Sequence, residues 1–147
     1  MDSNGLNICF IGHFTAGGTE RATFLVANGL CNKYNIHIIN TCNDNPTFEL
    51  DERVGFDYLK SGNVITQILA LKQYLRLKNI DILVSVESML GIITVPATTM
   101  AHCKHVVWEH ANYYQKNLVI NGLKNLCIIS LMVMFLIGLI TLRCAMK

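Results

Sequence analysis

Asn7-Ile-Cys-Phe-Ile-Gly-His-Phe-Thr-Ala-Gly-Gly-Thr-Glu-Arg21 is the stretch that decides the fold. Its first five residues are an apolar run without alternation, the pattern of a strand buried on both faces, as in a parallel sheet. Residues 12–18 follow as a glycine-rich loop. Thr19 and Glu20 then open a helix: a Thr hydroxyl caps free N–H groups, and a Glu carboxylate complements the positive end of the helix dipole. Phe24, Leu25, Ala27 and Leu30 give this helix an apolar face, with Val26 on its flank and Asn32 as its expected end.

Working outward, the same alternation continues. Residues 36–41 form a second strand, and 42–52 a polar loop carrying Asn-Asp-Asn-Pro. Residues 54–59 are a short third strand. Ser61-Gly-Asn63 precedes a helix over 64–78 with basic residues near its end. Residues 81–86 are the strongest strand. Residues 88–103 form a helix of small and apolar residues, in which Pro96 implies a kink or a late start. Residues 105–109 are the last strand, followed by a loop over 110–114. The order β-α-β-β-α-β-α-β implies an α/β fold, a Rossmann-like parallel sheet flanked by helices. Ligands of such sheets bind at the carboxyl ends of the strands. Residues 12–18, 87–88 and 109–114 occupy those ends, so His13, Gly17, Gly18, Glu87 and Glu109 are candidate substrate-binding residues.

Composition bounds the partners. The chain has 147 residues, 12 Lys and Arg, 10 Asp and Glu, and a net charge of +2. Apolar residues make up 52%, charged residues 15%, and mean hydropathy is +0.37. That excludes a disordered chain, and the lack of a strongly basic stripe argues against nucleic acid as a partner. Six cysteines, with no pair spaced C-x-x-C, read as free buried thiols in a reducing compartment. The polar start over residues 1–7 offers no signal peptide, so the expected localisation is cytoplasmic.

The averages hide a break. Residues 1–109 hold 8 basic and all 10 acidic residues, whereas residues 110–147 hold 4 basic residues and no acid. Leu126 to Leu142 is a run of 17 residues broken only by Ser130, Gly138 and Thr141. Such a run is at the short limit for crossing a bilayer. An apolar C-terminal helix is expected there, either associated with the cytoplasmic membrane or buried in a core. Basic residues flank both sides and leave its orientation open.

The motifs leave several chemistries open. Gly12, Gly17 and Gly18 do not fit G-x-G-x-x-G, nor do they end in the Gly-Lys-Ser/Thr of a P-loop. The loop is a structural tight turn, a dinucleotide site, or a place where a substrate approaches bare backbone. In Trp108-Glu109-His110, His110 titrates near neutral pH and Glu109 is placed to orient it. A hydrogen-bonded structural histidine is the competing reading. His102, Cys103, His105 and His110 make a poor metal set, because His105 begins a strand and no supporting carboxylate is evident. No G-x-S-x-G elbow marks a serine hydrolase.

Residues 16–30, Ala-Gly-Gly-Thr-Glu-Arg-Ala-Thr-Phe-Leu-Val-Ala-Asn-Gly-Leu, resemble the first loop and helix of family-4 glycosyltransferases, which commonly read G-G-x-E-R-x-x-x-x-L-A-x-x-L. Residues 47–59, 75–85 and 106–112 resemble later segments of that family, in order. The resemblance covers about residues 7–115. It implies the N-terminal half of a GT-B enzyme, two Rossmann-like domains facing a cleft. The N-terminal domain of such enzymes mainly holds the acceptor, and the C-terminal domain the nucleotide sugar. It implies Gly17 and Gly18 near the donor phosphates and acceptor, and His110 as the active-site histidine. It also implies retention of anomeric configuration, no metal and no cofactor, and a glycan or lipid-linked acceptor at the cytoplasmic membrane face. The chain departs from the pattern after Gln115: the donor-side domain with its basic pair and E-x7-E element is absent. The expected division is a glycosyltransferase domain over 1–115 and a hydrophobic tail over 116–147. The tail is a membrane segment or a frameshifted end, and the chain by itself an inactive, truncated form. The alternative is a non-enzymatic, membrane-anchored α/β binding module.

Overall fold

The computed structural model describes residues 5–59 and 62–109. His110 and the whole apolar tail, including the helix expected over 126–142, lie outside the described residues. The elements run β1 (Asn7–Gly12), α1 (Gly18–Leu30), β2 (Asn35–Asn40), β3 (Gly55–Tyr58), α2 (Val64–Leu77), β4 (Ile82–Ser85), a 3-10 turn (Ser88–Leu90), α3 (Gly91–Ala101) and β5 (Lys104–Val107). All four strand pairings are parallel, in the order β3-β2-β1-β4-β5.

Strand periodicity sorts the core onto two faces. Cys9, Ile11, Ile39 and Leu83 face one way and pack with Leu71 and Leu75 of α2 and Ala97 of α3. Phe10, Ile36 and Ile38 face the other way and pack with Phe24 and Ala27 of α1. The sheet therefore lies between α1 on one side and α2 with α3 on the other. Each fully buried Leu, Ile or Phe in these clusters contributes roughly 1.5–3 kcal/mol of burial free energy.

Local chemistry explains the helix ends. Asn63 caps α2, its side chain accepting from Thr66 N–H at 2.9 Å. The expected Thr19 cap on α1 is corrected: the helix begins one residue earlier, and Gly17 is the N-cap with no side-chain hydrogen bond. The helix also stops at Leu30 rather than Asn32. Pro96 lies inside α3, which starts late at Gly91 after the 3-10 turn. The cysteine expectation is corrected in part. Cys9, Cys31, Cys42 and Cys103 are free thiols, but only Cys9 is fully buried, the others being half-buried.

Candidate functional site

Chain direction reverses its march across the sheet at β1. The path runs outward through β2 and β3, then α2 carries it back past β1 to β4 and β5. The carboxyl ends of β1 and β4 therefore form a topological switch point, where open α/β sheets bind ligands. The glycine loop follows β1 at this point, and Glu87 follows β4.

Asn40, at the end of β2, shapes the glycine loop. Its Oδ1 accepts from Phe14 N–H at 3.0 Å and Cys42 N–H at 3.1 Å. Its Nδ2 donates to the Phe14 carbonyl at 3.0 Å and the Asp44 carbonyl at 3.1 Å. The side chain is fully buried, and its amide satisfies four backbone groups that would otherwise be stranded. Phe14 is thereby turned into the core against Phe24, edge to face at 5.8 Å. A Cβ at Gly12 would lie 2.5 Å from the Phe14 ring, which is why glycine stands there.

Gly17 and Gly18 are glycines for a different reason. No described glycine has positive φ, so neither is required here by a left-handed backbone. Gly17 is extended, at φ −140° and ψ 176°, and a Cβ there would lie 3.0 Å from the Thr15 carbonyl oxygen, so close backbone approach keeps it a glycine. A Cβ at Gly18 would meet no described atom within 4 Å. The space before the N-terminus of α1 is left open, and the first backbone N–H groups of a helix carry partial positive charge.

Glu20, the acidic residue in the first turn of α1, is buried. It is 1% exposed, and its Oε1 accepts from Thr47 N–H at 2.8 Å. Asn28, two turns on, donates to the Glu49 carbonyl at 3.1 Å and accepts from Asp51 N–H at 2.9 Å. These two polar residues of α1 thus tie down the segment between β2 and β3.

On the β4 side, Glu87 takes φ 151° and ψ 134°, a region that costs any side-chain-bearing residue on the order of 1–3 kcal/mol. Glu109, beyond β5, accepts from Ser88 N–H at 3.3 Å, so its carboxylate caps the 3-10 turn. His13 is exposed at the loop, its Nδ1 2.7 Å from Cys42 Sγ and 3.4 Å from Thr41 Oγ1. The structure thus gathers His13, Gly17, Gly18, Glu87 and Glu109 on the carboxyl edge of the sheet. His110, the candidate catalytic residue, lies outside the described residues. Asn40, Thr41 and Cys42 were missed by the sequence reading, which treated 42–52 as a plain loop.

Of the residues weighed as a metal set, His110 lies outside the described residues. His102 ends α3 in the left-handed conformation, at φ 58°. His105 Nε2 lies 3.0 Å from Ser85 Oγ, and burial pushes its imidazole below the ordinary value. Among the described residues no group of three or more His, Cys, Asp or Glu side chains converges to hold a metal. Nor is any described helix long and apolar enough to cross a membrane.

No protein-family model matches the sequence. An uncharacterised glycosyltransferase of Haemophilus influenzae is 27% identical over 120 residues, covering 77% of this chain and 33% of that protein. The apo form of the lipopolysaccharide outer core galactosyltransferase WaaB superposes with a TM-score of 0.60 and 18% identity, over 71% of this chain and 33% of that one. A glycosyltransferase from Rickettsia africae superposes with a TM-score of 0.60 and 20% identity, over 71% of this chain and 29% of that one. The chain spans about a third of the length of these relatives. Over part of its length it is related to glycosyltransferases, and its five-stranded sheet with three helices resembles one half of the GT-B fold.

Proposed function

We propose that this chain is the acceptor-side half of a nucleotide-sugar-dependent glycosyltransferase of family 4. One observation carries the reading: Gly18 leaves the N-terminus of α1 open at the switch point of the sheet. Bare helix N–H groups there stabilise a leaving diphosphate and let a sugar approach the backbone. His13, Glu87 and Glu109 supply polar groups around that opening, suited to sugar hydroxyls. His110 follows Glu109 directly and polarises the sugar at the reaction centre. The donor is a nucleotide sugar, the acceptor a glycan or lipid-linked glycan, and neither metal nor cofactor takes part.

Most of the donor site belongs to a second domain, so this chain alone binds saccharide without transferring it. The test is a titration of the purified chain with short oligosaccharides and UDP-sugars, monitored by intrinsic Trp fluorescence, alongside a transfer assay. Saccharide binding that disappears in Gly18→Trp, with no product formed, is the expected result. Robust sugar transfer lost on Gly18→Trp overturns the inactivity, and tight binding of NAD or ATP overturns the glycosyltransferase reading itself. The acid-free apolar run of residues 126–142 favours a second reading, a membrane-anchored binding module. Retention in the pellet after alkaline carbonate extraction, with a detergent control for aggregation, supports that alternative.

A further inference from the structure

The pairing of His13 with Cys42 is used neither by the fold nor by the reading above. The two residues come from adjacent strands: His13 follows β1 and Cys42 follows β2, two positions past Asn40. Their approach is fixed from below. Thr41 N–H bonds the Gly12 carbonyl at 2.9 Å, and Asn40 holds both Phe14 and Cys42 through its Oδ1. With its proton on Nε2, His13 presents the Nδ1 lone pair to the Cys42 thiol at 2.7 Å.

The other described cysteines lack such a base. Cys9 is fully buried, and burial holds its thiol well above the ordinary value. Cys31 Sγ donates to the Asn28 carbonyl at 3.1 Å, and Cys103 Sγ to the Lys104 carbonyl at 3.4 Å. Cys42 alone among the described cysteines is within hydrogen-bond distance of an imidazole, and that imidazole is exposed.

We propose that His13 and Cys42 form a thiol-modification site at the carboxyl edge of the sheet, where Cys42 exchanges with a small disulfide bearing ammonium groups. In the step, the thiol proton passes to His13 Nδ1 as Sγ attacks one sulfur of the reagent. The reagent's S–S bond breaks, a new S–S bond joins it to Cys42, and the departing thiolate takes the proton from His13. One disulfide replaces another, with no net oxidation.

Charge explains the preference for a cationic reagent and the need for a base. Burial pushes the Cys42 thiol up, the Asp44 and Glu87 carboxylates push the same way, and a hydrogen bond from Thr41 opposes them. The thiol is therefore protonated at neutral pH and must surrender its proton during attack. Asp44, two residues on and held with Cys42 by the one Asn40 amide, sets a carboxylate near the thiol that attracts an ammonium group at the reagent's other end.

The experiment treats the full chain with cystamine or with oxidised glutathione, quenches at intervals, and measures each cysteine peptide by mass spectrometry. Rates are normalised to those in urea, where local structure is lost. Cys42 is expected to react with cystamine at least about tenfold faster than Cys31 and Cys103, with His13→Gln removing that advantage. Oxidised glutathione, which is anionic, reacts more slowly, and Asp44→Asn narrows the gap between the two reagents. Protection of Cys9 in each variant reports that the fold is intact. Equal normalised rates at Cys42, Cys31 and Cys103 in the unmutated chain overturn the proposal, as does an unchanged Cys42 rate in a folded His13→Gln variant. Saccharide binding is a separate readout, so failure here leaves the glycosyltransferase reading standing.

Discussion

Both backbone groups of Phe14 are bonded by one side chain, that of Asn40, its N–H and its carbonyl each at 3.0 Å. A strand end thereby dictates the shape of a loop 26 residues away in sequence. Replacing Asn40 with Ala strands buried backbone groups at Phe14 and Cys42, at an expected cost of about 2–4 kcal/mol. Asn40→Asp is also expected to destabilise, because it removes the two donors and sets a carboxylate beside two carbonyls. Urea denaturation measures both. A loss below about 0.5 kcal/mol, the range of ordinary surface changes, refutes the role assigned to this amide.

The glycines of the loop separate packing from access. Gly12→Ala drives a methyl into the Phe14 ring, which is boxed in by the core, and is expected to lower the melting temperature by several degrees. Gly18→Ala meets open space at the start of a helix and is expected to be neutral or to stabilise by up to about 1 kcal/mol. Thermal melts of the two variants side by side give the answer, and a reversed order contradicts the geometry.

Gly55 and His37 make a coupled pair. A Cβ at Gly55 would lie 2.8 Å from His37 Nδ1. His37 stands 3.4 Å from the Tyr74 hydroxyl, which donates to Asp57 at 2.8 Å. Gly55→Ala is expected to cost roughly 1–3 kcal/mol by displacing the ring. In a His37→Ala background the same substitution loses most of that cost. A double-mutant cycle reads the coupling, and strictly additive effects exclude it.

Acid sensitivity follows from two half-buried imidazoles. Burial lowers the affinity of His105 for a proton. It does the same at His37, where Lys78 adds to the effect and Asp57 opposes it. The unfolded chain therefore takes up protons first as pH drops through the ordinary histidine value of 6.5, and stability is lost below it. Asp51, held far below the usual carboxylate range by hydrogen bonds from Arg53, contributes only in a more acidic window. The melting temperature is expected to fall between pH 7 and pH 5, and His105→Gln to flatten that fall. A profile flat over this interval runs against the assignment.

The sheet was legible because each strand carries its own signal. Residues 7–11 and 36–41 are short, largely apolar runs that suit strands covered on both faces, and the intervening helix shows its buried face at Phe24 and Ala27, although Leu25, expected on that face, is exposed. The edge of the site was harder to read. Cys42 follows two polar residues and precedes Asn-Asp-Asn-Pro, so local sequence says only loop. Its pairing with His13 arises from strand register, Gly12 lying opposite Asn40, which no local pattern encodes. Glu20 does more than local sequence announces. A carboxylate in the first turn reads as a dipole partner, and the fold also uses it to hold Thr47. Glycine was ambiguous by nature, since one residue type serves to fit an aromatic ring at Gly12 and to leave space at Gly18.

Glu87 keeps a carboxylate where the backbone favours glycine. Any rearrangement that carries it to an ordinary φ releases free energy already stored in the turn after β4. Glu87→Gly is therefore expected to leave a more stable protein, the side chain being what makes this backbone costly.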